Sequence, residues 1–253
     1  MAEPARQGPD SSEFSATLLD QVFSLWVEPA VSERGLGLTR SDVVKALVAM
    51  APSEVPKVYI NDEVQLVAQV RATRSIQQGE AVTLEDISGV EDLRPLDVDG
   101  NSGWIAFAKI GNEITIAFDF RRNRQTATLL VERATEFAVA AEGSLAQGHL
   151  GPAIENAFAA AELAVKAEMF LIEDKPTTKH PERVAWWTEW ERLGNAPPGA
   201  ARVLRELYNE RGPSRYGDRP IAMAPDDVLE ALEGVRQMIE HTRARCAEQQ
   251  PPA

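Results

Sequence analysis

The sequence predicts an α+β fold: a small antiparallel β-sheet domain with N-terminal helices, followed by an all-α helical bundle. Three observations predict it. Two alternating apolar runs, residues 104–110 and 114–120, flank the turn pair Gly111-Asn112. Strand signals stop after Phe120. From there to residue 247 the apolar residues recur with helical period. Residues 1–12 and 248–253 are expected as tails, 13–123 as the helical and β-sheet domain, and 124–247 as the bundle.

Residues 1–12 carry Pro, Gly, Gln and Ser with no apolar period and read as disordered. In residues 14–33, Leu18, Leu19, Val22, Phe23, Trp26 and Val27 fall at helical spacing, and Pro29 is expected to kink or divide that helix. Thr39 with Asp42 resembles a helix N-cap. The helix it opens would carry Val43, Val44, Leu47 and Val48 and stop before Pro52. Residues 64–71 alternate and are β-branched, so they read as a strand. Gln78-Gly79 is a turn, and 80–83 a short return strand. Residues 104–110 and 114–120 form a hairpin through a type II′ turn with Gly111 first. Ile114, Ile116, Phe118 and Phe120 share one face of the second strand, which predicts a sheet with one buried side.

The helical half starts with Asn123 as cap of a helix to about residue 147, with Leu129, Leu130, Ala134, Phe137, Ala138 and Ala141 inward. Gly148 ends it and Pro152 starts the next. Residues 152–172 place Ile154, Phe158, Ala161, Val165, Met169 and Ile172 on one stripe. Ala157, Ala160, Ala164 and Ala167 line an adjoining stripe suited to close helix contact, which motivates a homodimer. Residues 173–180 read as a polar loop, and 181–193 as a helix bearing Trp186, Trp187 and Trp190. A further helix starts at Ala201 and is expected to break at Gly212-Pro213. Pro225, Asp226 and Asp227 open the last helix.

Composition excludes several classes. Lys and Arg number 26 against 39 Asp and Glu, and the net charge of −13 argues against broad binding to nucleic acid or anionic membrane. Any such contact must come from a local patch. The single cysteine, Cys246, rules out an internal disulfide framework. No basic-then-apolar leader and no run of about 18 apolar residues is present, so a cytoplasmic protein is expected. His149, His180 and His241 are far apart and none lies at ligand spacing from Cys246, so no metal is expected. No phosphate-binding loop or nucleophile elbow occurs, and no cofactor is implied. Asp97-Val98-Asp99-Gly100-Asn101 imitates a calcium loop, but its glycine falls early and the twelfth position is Ala108.

Two positive patches stand out. In residues 201–218, Arg202, Arg205, Arg211 and Arg215, with Arg219 just beyond, face only Glu206, Glu210 and Asp218 as local counter-charges. Arg121, Arg122 and Arg124 precede a helix N-terminus, where cations oppose the macrodipole and call for an anion, either RNA phosphate or a carboxylate of this chain. The tryptophans either stack bases or fill a core.

Two resemblances follow. Residues 74–87 are similar to the SAF-type β module of antifreeze-like and sugar-acid proteins; they equally read as a strand–turn–strand ending in a Thr-capped turn. Residues 124–247 resemble the HEPN family of helical bundles. The Ala-rich run NAFAAAELAVKA at 156–167 looks like that family's central helix. Residues 207–218, LYNERGPSRYGD, resemble its Leu-Tyr, Arg, Ala-Asp-Tyr signature. In catalytic members, the resemblance implies, an Arg and a His four to six residues later meet their symmetry mates at a dimer cleft and cut RNA without metal. Arg211 matches the arginine, and the window after it holds Arg215, Tyr216 and Gly217 but no histidine. Arg215 replaces an acidic residue. A tyrosine, with a pKa of about 10, is a poor base at neutral pH. The resemblance thus implies a dimer that binds RNA or a nucleotide-related partner, in a toxin–antitoxin or phage-defence setting, without full ribonuclease activity. The alternatives are a metal-independent endoribonuclease using Arg211 with Tyr216 or a distant His, and a non-enzymatic interaction module. Candidate catalytic residues are Arg211 and Tyr216. Candidate nucleic-acid contacts are Arg205, Arg211, Arg215, Arg121, Arg122 and Arg124.

Overall fold

The computed structural model describes residues 11–111, 113–173 and 176–247. The expected tail at 1–12 lies almost wholly outside them, as do the expected tail at 248–253 and the second turn residue, Asn112. The chain divides into two compact units at Phe120/Arg121.

In the first unit a single helical segment spans α1 (Ser11–Val22), a π turn (Phe23–Val27) and α2 (Glu28–Glu33). Pro29 has no N–H to donate one turn back, and its ring crowds that carbonyl. The π turn just before it widens the spiral, and the Glu28 N–H bonds to the Phe23 carbonyl five residues back. The proline is therefore absorbed by a bulge and the helix is not divided.

Next come β1 (Lys45–Met50), β2 (Lys57–Ile60), β3 (Leu66–Ala72), β4 (Ile87–Pro95), β5 (Gly103–Ile110) and β6 (Glu113–Asp119). The helix expected after Thr39 is instead one 3-10 turn (Arg40–Asp42) followed by β1. The Thr39 and Asp42 caps are real but close a single turn. Strand β1 sits between β2 and β5 in the order β2-β1-β5-β6. Both its faces are buried, so it reads as an apolar run without alternation, which periodicity cannot tell from a helix. Ala46 and Val48 pack with Val22, Phe23 and Val27 of the helix, and Phe23 meets Phe107 at 5.2 Å. Leu47 points the other way, to Val64, Ala106 and Trp104.

Strand β3 pairs with β4 as a separate two-stranded sheet. The return strand is thus 87–95 and not 80–83, because Thr83 caps another 3-10 turn (Leu84–Asp86) that delays it. Of the apolar face expected for β6, Ile116 joins the core; Ile114, Phe118 and Phe120, just past the strand, stay over 40% exposed. Strand β6 is the sheet edge, and the helix covers the central strands. The single buried side expected for this hairpin is therefore incomplete.

The second unit holds α3 (Arg124–Ala146), α4 (Leu150–Ile172), α5 (His180–Arg192), α6 (Ala200–Tyr216) and α7 (Pro225–Cys246). Helix α4 is its centre and packs on α3, α5, α6 and α7. Ala157, Ala160, Ala164 and Ala167 are fully buried within the unit, so this stripe presents no face to a second chain. Helices α6 and α7 also approach closely: a Cβ on Gly234 would lie 2.7 Å from Val203 Cγ2. Asn123 occupies the N-cap position of α3 with a left-handed backbone but makes no capping bond. Its Nδ2 donates instead to the Phe170 carbonyl (3.0 Å). Leu129 is 66% exposed, not inward, because the buried seam of α3 runs through Ala127, Val131, Ala134, Ala138 and Ala141. Among the described residues no helix is long and apolar enough to cross a membrane.

Candidate nucleic-acid interface

Helix α6 carries the main basic patch, and α5 fixes where it begins. The two oxygens of Glu191 accept the Gly199 and Ala201 N–H groups at 2.8 and 2.6 Å. A carboxylate at a helix N-terminus satisfies orphan donors and favours the macrodipole. Ala200, Ala201, Val203, Leu204 and Leu207 then bury one face.

The helix does not break at Gly212-Pro213; it continues to Tyr216 with Pro213 buried inside it. The proline leaves the Asn209 carbonyl without its usual helical donor. Arg219 replaces that donor: its Nη2 gives one hydrogen bond to the Asn209 carbonyl (3.1 Å) and one to Glu210 Oε1 (2.9 Å). The Ala222 N–H also donates to Glu210 (2.9 Å). Burial alone would raise the Glu210 carboxyl, but these donors outweigh it and hold it below the ordinary glutamate range. Gly217, left-handed at φ +62°, ends the helix by donating its N–H to Pro213.

The arginines of this stretch divide by partner. Arg202 is paired with Glu206 and Glu230 at 3.1 and 2.8 Å. Arg219 is committed to the proline site. Arg205 donates to Thr188 Oγ1 of α5, at 3.4 Å. Arg211 and Arg215, one turn apart on the same face, share one carboxylate: Glu155 of α4 lies 3.9 Å from one guanidinium and 3.5 Å from the other. Tyr216 beside them is 74% exposed, with the Arg215 guanidinium 6.0 Å from its ring. Two cations above one carboxylate leave a surplus positive charge and unused planar donors.

Beneath this face lies Phe158 of α4. The Arg211 guanidinium is 5.5 Å from its ring centre, and the His180 and Tyr208 rings are 5.8 and 6.1 Å away. Glu162 holds His180 through Nδ1 and pairs with Arg183 at 2.9 Å. Glu155, Phe158, Glu162 and His180 were missed in the sequence. The available signal was the i, i+3, i+7 spacing of the first three on α4, which puts them on one flank.

Arg121, Arg122 and Arg124 lie elsewhere, at the ends of α4 and α7. Arg121 Nη1 donates to the Arg245 carbonyl (3.1 Å) and Arg122 Nη2 to the Ile172 carbonyl (3.3 Å). The Arg122 N–H bonds to the Leu171 carbonyl, and Arg124 is buried. The negative ends of two other helices thus receive the cations that oppose the dipole of α3. Behind them Glu168, fully buried, accepts from Arg245 (2.5 Å) and from Trp190 Nε1 (3.2 Å). Burial raises its carboxyl above the ordinary range, against the pull of Arg245, Trp190 and Arg121. Trp186 and Trp190 stack at 5.0 Å with their N–H groups on Glu173 and Glu168, and Trp187 is buried. The tryptophans serve packing. Cys246 is buried nearby, and desolvation above all pushes its thiol up to about 11. Among the described residues no cluster of three or more His, Cys, Asp or Glu is arranged to hold a metal.

Residues 127–245 match the family model of the HEPN domain. The N-terminal part has no family assignment. No curated protein matches the chain.

Proposed function

We propose, from the premise that residues 127–245 are a HEPN domain, that this bundle is a dimeric cytoplasmic RNA-binding module. It holds phosphates through Arg211 and Arg215, with Tyr216 beside them, and lacks full ribonuclease activity. A toxin–antitoxin or phage-defence setting fits that premise. One observation carries the reading: Arg211 and Arg215 share the single carboxylate of Glu155 at 3.9 and 3.5 Å, in a chain of net charge −13. Planar guanidinium forks suit bidentate phosphate contacts. The acidic remainder suppresses non-specific binding and so confines RNA to this face.

The test is single-stranded RNA binding at low salt with Arg211→Ala/Arg215→Ala. We expect at least about tenfold weaker binding, and a salt slope lower by about 0.7 for each phosphate that the variant no longer neutralises. Unchanged affinity and slope would reject the reading.

A second reading, metal-independent RNA cleavage, is favoured by Phe158 bringing His180 and Arg211 to one ring. Glu162 on Nδ1 fixes the orientation of the imidazole, whose other nitrogen can take or give a proton. In this reading His180 takes the 2′-hydroxyl proton as that oxygen attacks the adjacent phosphorus. The bond to the 5′-oxygen breaks, and that oxygen leaves as the alcohol with a proton from water, which leaves a 2′,3′-cyclic phosphate. Labelled RNA incubated with the protein and EDTA would be cut, and His180→Ala would abolish the cutting. RNA intact after hours with the wild-type chain would exclude it.

A further inference from the structure

We propose that β6 is a docking edge for an extended, basic segment of another protein, which adds to the β2-β1-β5-β6 sheet as a further strand. This site lies in the unit outside the HEPN match and does not rest on the RNA reading. Strand β6 ends its sheet and pairs with β5 alone. Every second residue of such a strand turns its N–H and C=O away from the ladder. Among the described residues no backbone hydrogen bond joins 113–118 to any segment other than β5. A row of unpaired backbone groups is a template for another strand.

The other outer strands are blunted against such pairing, and β6 is not. Strand β2, at the far edge, has four residues, follows Pro56 and begins with Lys57. Strands β3 and β4 pair with two register shifts, at Gln69/Val70 and Arg71/Ala72. Short length, lysine, proline and bulges are the ordinary protections of an edge. Strand β6 has seven residues in unbroken register with β5 and contains no Lys, Arg, Pro or Gly. Ile114 and Phe118 are nearly half exposed, and Phe118 stacks at 5.0 Å on the equally exposed Phe120.

The two sides of β6 define what it takes. On one side Ile114, Ile116 and Phe118 form a row that calls for apolar side chains at alternate positions of the incoming segment. On the other side Glu113 and Thr115, with Ser88, Gly89 and Val90 of β4, line a cavity of about 240 Å³. Glu113 is exposed, and Lys109, opposite Ile114, is on the other side of the sheet. A lysine or arginine of the segment that points to the cavity side therefore meets an anion. Residues 11–120 carry 17 Asp and Glu against 8 Lys and Arg, so charge complementarity selects a basic segment. A second copy of β6 is a poor occupant. Antiparallel pairing about Ile116 would set Glu113 against Asp119 of that copy, and like charges across a ladder are destabilising.

Selection of phage-displayed random twelve-residue peptides on the full chain tests this. The peptides enriched are expected to alternate apolar residues with Lys or Arg. Synthetic copies should slow amide hydrogen exchange in β6. Phe118→Lys, which places a charge in the apolar row, should weaken their binding at least about tenfold. Glu113→Lys leaves that row intact and should weaken them several-fold, so the inference does not hang on one variant. Val67→Lys, at an exposed position of β3, should bind them as the wild type does. The inference is overturned if no peptide is enriched, if the enriched peptides are acidic or lack the alternation, or if amide exchange in β6 is unchanged. Binding that survives both Phe118→Lys and Glu113→Lys would overturn it equally.

Discussion

Arg121, Arg122 and Arg124 at the start of α3 and Arg211 and Arg215 at the end of α6 are the same side chain in opposite surroundings. The first group lies against the carboxyl ends of two helices, with the buried carboxylate of Glu168 behind it. The second shares one carboxylate at longer range beside an exposed tyrosine. Both groups contain more positive charge than their sequence neighbours cancel. What separates them is the supply of negative dipole ends that tertiary packing brings. Helix carbonyls absorb the first surplus, whereas among the described residues Glu155 is the one carboxylate paired with the second. A basic cluster in sequence is thus a demand for anions, and the fold decides whether the demand is met inside or left for a ligand.

The sharpest way to break this contrast is to remove the inner carboxylate. Glu168→Ala leaves Arg245 and Trp190 without their buried hydrogen-bond acceptor, and a buried donor left unpaired costs about 1–3 kcal/mol. A urea midpoint should register the loss, while RNA binding per folded chain should not change. An unchanged midpoint would mean that the inner arginines are satisfied by carbonyls alone.

A smaller effect is expected from pH. Because burial raises the Glu168 carboxyl, the folded chain holds that proton at pH values where the unfolded chain has released it. The associated stability is fully present below the ordinary glutamate range and is lost as pH rises through the raised value. Relative to Glu168→Gln, the wild type should therefore lose stability as pH increases from the ordinary glutamate range through the raised value. Asp86 of the β unit has the opposite sign. The Thr83 N–H, then Arg74 and the Thr83 hydroxyl, hold it down to about 2, so its contribution is lost only as pH falls below the ordinary aspartate range towards that value. A stability difference that is flat across the upper window would remove Glu168 as a titrating group.

The sequence made legible what depends on neighbours a few residues away. The hairpin at Gly111, the helices from 124 to 247 and the Thr39 and Thr83 caps all rest on local chemistry. What it hid depends on distant partners. Strand β1 looked helical because both its faces are buried by distant residues, Val22, Phe23 and Val27 on one side and Val64 and Trp104 on the other. The carbonyls that receive Arg121 and Arg122 lie 124 and 50 positions away. In the candidate site Arg211, Arg215 and Tyr216 could be read from α6 itself. Glu155 and His180 could not, since only the packing of α4 and α5 brings them there.

Arg219 gives the finest test, because it belongs by sequence to the outer group and by contact to the inner kind. It occupies a carbonyl that Pro213 has released from the helix, and it also pairs with Glu210. Arg219→Ala removes both contacts. In a Pro213→Ala background the new N–H at position 213 can bond to the Asn209 carbonyl, so the same substitution removes only the ion pair. A double-mutant cycle should give a coupling of about 0.5–1 kcal/mol, kept small because the Arg219 side chain is half exposed. A coupling near zero would mean that Arg219 acts only as the counter-ion of Glu210, and that the helix tolerates its orphaned carbonyl unaided. Arg219 would then be held by a carboxylate alone, and the helix-carbonyl rule would apply to the α3 arginines only.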